Sequence, residues 1–188
     1  MEATVYRLKV SLRGSRPPIW RRVEVPADVT LFQLHGILQR VMGWTDSHLH
    51  QFRRGSTYYG QSDPEFGMPR EDERRIRLND VLRRPRERMV YEYDFGDGWE
   101  HDVVLEAAGS DTAVEPRVRV LAGKGACPPE DVGGIGGYYG FLEAIANTKH
   151  PEHRDMLDWC GGHFDPAAYD IDRVNAYFQK RPRRQKRA

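Results

Sequence analysis

The chain has 188 residues, 39% hydrophobic and 11% aromatic, which suits one sizeable core and excludes a disordered chain. No run approaches the ~18 apolar residues of a membrane span, residues 1–10 lack a signal peptide's apolar stretch, and two cysteines are too few for a disulfide framework, so a cytoplasmic protein with reduced thiols is expected. The net charge of +1 hides six cationic residues among the last nine; removing those six leaves the body at about −5, which argues against a broad DNA-binding face.

Residues 4–12 and 19–25 alternate as two strands joined by a turn at 14–18. Thr30 is a good N-cap for a helix over 31–42, where Leu31, Leu34, Ile37, Leu38, Val41 and Met42 recur at helical spacing until Gly43 stops it. A third strand is expected at 48–53, with Tyr58 and Tyr59 extending it. Residues 63–88 read as a charged, mobile excursion around a short segment at 76–82. A hairpin of 89–95 and 99–107 follows, then a strand near 116–121, a Gly- and Pro-rich loop after Gly123, and helices near 138–147, 151–159 and 171–179. This order predicts an α+β fold: a β-grasp-like mixed sheet with one long packed helix, plus C-terminal helices, in a single domain over 1–179. Residues 180–188 are expected to be a basic flexible tail, with Lys180, Arg181, Arg183, Arg184, Lys186 and Arg187 able to neutralise phosphates.

The densest chemistry lies at 91–101, Tyr-Glu-Tyr-Asp-Phe-Gly-Asp-Gly-Trp-Glu-His. Asp97-Gly98 suits a two-residue type I′ turn, because both central positions need φ > 0. That register places Asp94 opposite His101 on one face, either as a site or as a cross-strand ion pair. His48 and His50 have strand spacing, so their imidazoles share a face roughly 6–7 Å apart. With Asp94 and His101 on a neighbouring strand they would form a divalent-metal set, His48, His50, Asp94 and His101; otherwise they are hydrogen-bonded sheet residues and no cofactor is required. His35 reads as a packing residue.

Cys127-Pro-Pro-Glu-Asp131 must be a shaped loop, since its prolines deny regular hydrogen bonding. Cys127 is read as a nucleophile, as a zinc ligand with Cys160 and His163, or as an ordinary buried thiol. Gly133, Gly134, Gly136 and Gly137 lack the P-loop and dinucleotide spacings and read as a loop allowing close backbone approach. No serine stands in a nucleophile-elbow context. The exposed-loop candidates for binding protein or nucleic acid are Asp94, Asp97, Trp99, His101, Cys127, Glu130, Asp131 and Tyr138.

Taken together, Ile19-Trp-Arg-Arg-Val23, Leu34-His35 leading to Gly43-Trp44, His48-Leu-His-Gln-Phe52, the 91–101 stretch and Cys127-Pro-Pro-Glu-Asp131 with Gly133-Gly134 resemble the plasmid pRiA4b ORF-3-like family from Val5 to Phe178. The resemblance implies an α+β domain with a β-grasp-like sheet and an association with plasmids and insertion elements, but it supplies no mechanism. Val132 stands where many relatives look to carry a second cysteine, which removes a metal site built on a Cys pair. A serine recombinase is unsupported, because neither a nucleophilic serine in an arginine-rich setting nor a helix-turn-helix is legible. Two functions are therefore expected from the sequence: a mobile-element-associated binding or accessory module, or a metal-dependent hydrolase or nuclease built on the His/Asp cluster.

Overall fold

Strands β1 (Ala3–Leu12) and β2 (Trp20–Pro26) pair antiparallel because each alternates apolar and charged residues in phase. Tyr6, Leu8, Val10 and Leu12 of one and Val23 and Val25 of the other point into the core. A computed structural model describes residues 3–61, 70–111 and 118–179. It continues with α1 (Leu31–Met42), β3 (His50–Arg54), β4 (Thr57–Gly60), β5 (Glu71–Asp72), α2 (Leu78–Val81), β6 (Arg88–Tyr93), β7 (Trp99–Asp111), β8 (Arg119–Lys124), α3 (Gly134–Ala146), α4 (His153–Trp159) and α5 (Ile171–Gln179). The strands form one mixed eight-stranded sheet in the order β5-β4-β3-β6-β7-β1-β2-β8, antiparallel except between β4 and β5.

Helix α1 has the bounds its sequence predicts. Thr30 accepts the Gln33 amide while the Gln33 side chain accepts the Thr30 amide, and Gly43 closes the C-terminus in the left-handed region at φ 117°. Its leucines join Phe52, Met89, Tyr91, Tyr93, Trp99, Val103 and Leu105 from the sheet in one buried cluster. The opposite sheet face is charged and laced by cross-strand pairs: Arg7 and Arg119 meet on Glu24, Arg22 forks onto Glu106, and Arg13 reaches both Glu100 and Asp102. One apolar and one solvated face is the usual solution for antiparallel strands. The β8 edge is covered by α5, whose Asn175 side chain donates to the Val120 carbonyl and accepts its amide in place of a further strand.

Two expectations need correction. The 89–107 hairpin does not turn at Asp97-Gly98 alone: Tyr93 pairs with Trp99 and Tyr91 with His101, so residues 94–98 form a five-residue loop and Asp94 is not opposite His101. The cause is local, since Asp94 sits at φ 57°, its Oδ1 accepts the Gly96 and Asp97 amides, and its carbonyl accepts the Gly98 amide, closing a wider turn. The charged excursion is also tied down from Glu71 onward, where Glu73 is buried and β5 pairs with β4. Its 63–69 part lies outside the described residues, as does the basic tail. Among the described residues no helix is long and apolar enough to cross a membrane.

Candidate metal centre and cleft

Three loops at the end of α1 and the sheet assemble the site. The loop leaving α1 carries Trp44, Thr45, Asp46 and His48; the 94–98 loop carries Asp94 and Asp97; the loop before α3 carries Cys127 to Gly133. Glu130 joins the third loop to the first, its carboxylate accepting from the Thr45 amide at 3.1 Å, the Thr45 hydroxyl at 2.6 Å and the Tyr93 hydroxyl at 2.7 Å. Burial works against that charge, but these donors outweigh it and hold the Glu130 carboxyl below the usual range. Asp97 joins the second loop to the third by accepting the Gly133 amide at 3.1 Å. Trp44 Nε1 donates to the Pro128 carbonyl across the same junction.

At the centre of this junction His48 Nε2 lies 3.3 Å from Asp131 Oδ1 and 3.6 Å from Asp94 Oδ2. The nitrogen is buried and makes no hydrogen bond to either carboxylate. Among the described residues, His48, Asp94 and Asp131 form a group of three ligand-bearing side chains whose donor atoms all lie within 4.8 Å of one another. Ligands about 2.1 Å from a tetrahedral cation are separated by roughly 3.4 Å, so the two spacings fit a shared ion better than a hydrogen bond. Backbone strain accompanies the geometry: among the described residues Asp46, Asp94 and Asp131 account for three of the four non-glycine residues with positive φ, at 61°, 57° and 59°.

His48 also lines a cleft of about 280 Å³ whose polar wall is made by His35, His50, Asp46 and Glu73. The His35 and His50 rings stack with centroids 3.4 Å apart and planes 3° apart. Each has its own carboxylate, His35 Nε2 on Asp46 at 2.7 Å and His50 Nε2 on Glu73 at 2.8 Å. Tyr91 Oη takes the Gln39 amide and lies 2.8 Å from His35 Nδ1, while Gln39 Oε1 accepts the Asp46 amide. This ring of bonds is complete when His35 is neutral, with its proton on Nε2 facing Asp46 and the Tyr91 hydroxyl donating to Nδ1. Burial, and then the neighbouring His50, lower the His35 pKa in the same sense.

The other sequence candidates fall elsewhere. His50 is spent on Glu73, and His101 is fully buried with Nδ1 on the Tyr91 carbonyl, so neither joins His48 and Asp94. Trp99 and Tyr138 are core residues. Burial raises the Cys127 thiol pKa despite nearby Arg21, which leaves an unreactive thiol, and Cys160 Sγ points to the Leu157 carbonyl. Gly134 and Gly137 allow close backbone approach: a Cβ on Gly134 would lie 2.4 Å from the Asp97 carbonyl oxygen, and one on Gly137 would lie 1.9 Å from that of Val132. Asp46 and Glu73 carried no signal in the sequence, and His35 resembled any helix core residue.

Burial holds the His101 pKa down to about 4, and His35 is lowered too, so the unfolded chain binds more protons than the folded one in mildly acidic solution. Stability should be complete above about pH 6.5 and fall as the pH drops toward 4; the His101 shift alone corresponds to about 3 kcal/mol. Urea midpoints measured at pH 7, 5.5 and 4.5 check this, and His101→Leu should flatten most of the decline.

The comparisons with known proteins agree with the fold without naming a reaction. An uncharacterized protein, y4hQ, of Sinorhizobium fredii is 42% identical over 177 residues, covering 93% of this chain and 91% of its own. The crystal structure of a protein of unknown function, MM3350, from Methanosarcina mazei Go1 superposes with a TM-score of 0.84 at 35% identity, covering 93% of this chain and 99% of that one. The family described as plasmid pRiA4b ORF-3-like protein matches residues 4–173, and the chain belongs to that family.

Proposed function

We propose that this protein is a metal-dependent hydrolase whose single divalent cation is held by His48, Asp94 and Asp131 at the mouth of the His35/His50 cleft. The observation that carries the reading is the buried His48 Nε2, unpartnered and within 3.6 Å of two carboxylate oxygens. Three protein ligands leave a coordination position for water, which a cation makes nucleophilic near neutral pH. The water oxygen would bond to the phosphorus or carbonyl carbon of an ester, the bond to the leaving oxygen would break, and that oxygen would take up the released proton. One nitrogen and two carboxylate oxygens suit zinc, manganese or iron(II) better than a thiolate-seeking ion.

The accessory-module reading, engaging protein or nucleic acid through the loops and tail, has less behind it. Glu130 and Asp97 are consumed in joining the loops, and Trp99, His101 and Tyr138 are buried. A cytoplasmic setting, a mobile-element association and a β-grasp-like description of the sheet belong with this proposal as its context.

The test is metal content, by mass spectrometry, of protein purified without a histidine tag, next to His48→Ala and Asp94→Asn. About one equivalent in the wild type and none in the variants is expected, with chelation lowering Tm by roughly 5–10 °C if the site is filled near 100 Kd. Full ester turnover by folded His48→Ala would sink the proposal.

A further inference from the structure

We infer that the cleft beside His48 takes a small phosphate ester bearing a flat ring, of mononucleotide size. The inference rests on the metal-centre reading and names its substrate class. Five large apolar side chains stand exposed among the described residues, Phe32, Leu49, Phe95, Trp159 and Tyr177, and three of them, Phe32, Leu49 and Phe95, line this one cleft. Exposed apolar groups are ordinary when scattered, but three converging on a concavity with a polar floor describe a ligand site.

Cationic charge sits over the same walls. The Arg70 guanidinium stands 5.4 Å from the Phe95 ring centroid and Arg74 stands 5.1 Å from that of Phe32. Among the described residues neither makes an ion pair, whereas neighbouring Arg75 and Arg77 do. The carboxylates of the floor, Asp46 and Glu73, are already hydrogen-bonded by His35 and His50, so the groups left free to meet a ligand are the guanidinium donors of Arg70 and Arg74, beside the proposed cation at His48. Paired guanidinium and aromatic surfaces recognise a ring with an attached anion, and a planar fork prefers phosphate. At about 280 Å³ the space is at the lower end for small-molecule sites, which admits one nucleotide and excludes a duplex. The two sources of this chemistry are a free mononucleotide and the phosphorylated end of a single strand.

The full-length protein, loaded with manganese, is titrated by calorimetry with AMP, adenosine, ribose 5-phosphate, a single-stranded octanucleotide with and without a 5′-phosphate, and a duplex of the same sequence. Metal content is measured on the same samples. AMP should bind at least ten-fold more tightly than adenosine or ribose 5-phosphate. Arg70→Ala and Phe95→Ala should each weaken AMP at least ten-fold while retaining the metal. Tighter binding of the phosphorylated octanucleotide than of AMP assigns the site to chain ends, and weaker binding assigns it to free nucleotides; either supports the inference. Retained metal with no AMP or octanucleotide binding, or unchanged affinity in Phe95→Ala and Arg70→Ala, overturns it and leaves the metal centre standing. Absent metal in the wild type overturns the centre itself and with it the inference.

Discussion

Replacing Arg21 by alanine is expected to lower unfolding stability by more than about 3 kcal/mol, enough to shift Tm by roughly 6–12 °C in a protein of this size. Arg21 has no solvent exposure and, among the described residues, no carboxylate partner. Its guanidinium donates to the carbonyls of Val41 and Met42 at the end of α1, of Trp20 in its own strand and of Lys124 in β8, and it lies 3.6 Å from the centroid of the Tyr169 ring. Burial lowers its pKa, the direction expected for a charge taken out of water. Truncation would remove the guanidinium donor from the Met42 carbonyl, leave the Val41 carbonyl to the Tyr169 hydroxyl alone, and open a cavity between the sheet and the segment before α5. Arg21→Lys should recover little, because one ammonium cannot span the same forked set of acceptors. Thermal unfolding followed by circular dichroism decides the matter; a variant within 1 °C of wild type would show that the network contributes nothing net.

The second large effect is expected at a residue with no functional group. If the proposed centre binds its cation, Gly134→Ala should weaken that binding by more than about ten-fold while changing none of the three ligand side chains, because small displacements of a supporting shell cost about this much. Gly134 has φ 67°, and its added Cβ would stand 2.4 Å from the Asp97 carbonyl oxygen. The backbone of the 94–98 loop would have to withdraw, breaking the Gly133 amide to Asp97 bond and separating Asp94 from Asp131. Gly136→Ala is the matched control, since nothing lies within 4 Å of its added Cβ. Metal titrations of the two variants should differ; equal affinities would mean that the two loops are not held in register by this contact.

The elements were legible in the sequence because their signals are local. Period-two alternation marks β1, β2 and β7, and Thr30 and Gly43 mark both ends of α1. The site was legible as a list of residues but not as a set. Asp97-Gly98 looks like a two-residue turn, and only the cap supplied by Asp94 widens it, which moves His101 into the core and Asp94 toward His48. Asp131 joins that pair from the far side of a proline loop, and Glu73 joins His50 from a segment whose charges resemble any solvated surface. Such partnerships depend on which loops meet at the end of the sheet, and no short-range pattern encodes that.

The left-handed conformations of Asp46, Asp94 and Asp131 set stability and chemistry against each other. At each position glycine would relax the backbone, and asparagine would tolerate the left-handed region at least as well as aspartate, so the conformation by itself does not call for an acid. Asp94 recovers part of the cost by accepting the Gly96 and Asp97 amides and Asp46 by accepting from His35, whereas among the described residues the Asp131 carboxylate accepts no hydrogen bond. Of the three, Asp131 is therefore the aspartate whose acidity the fold explains least, and the one on which the proposed metal centre leans hardest.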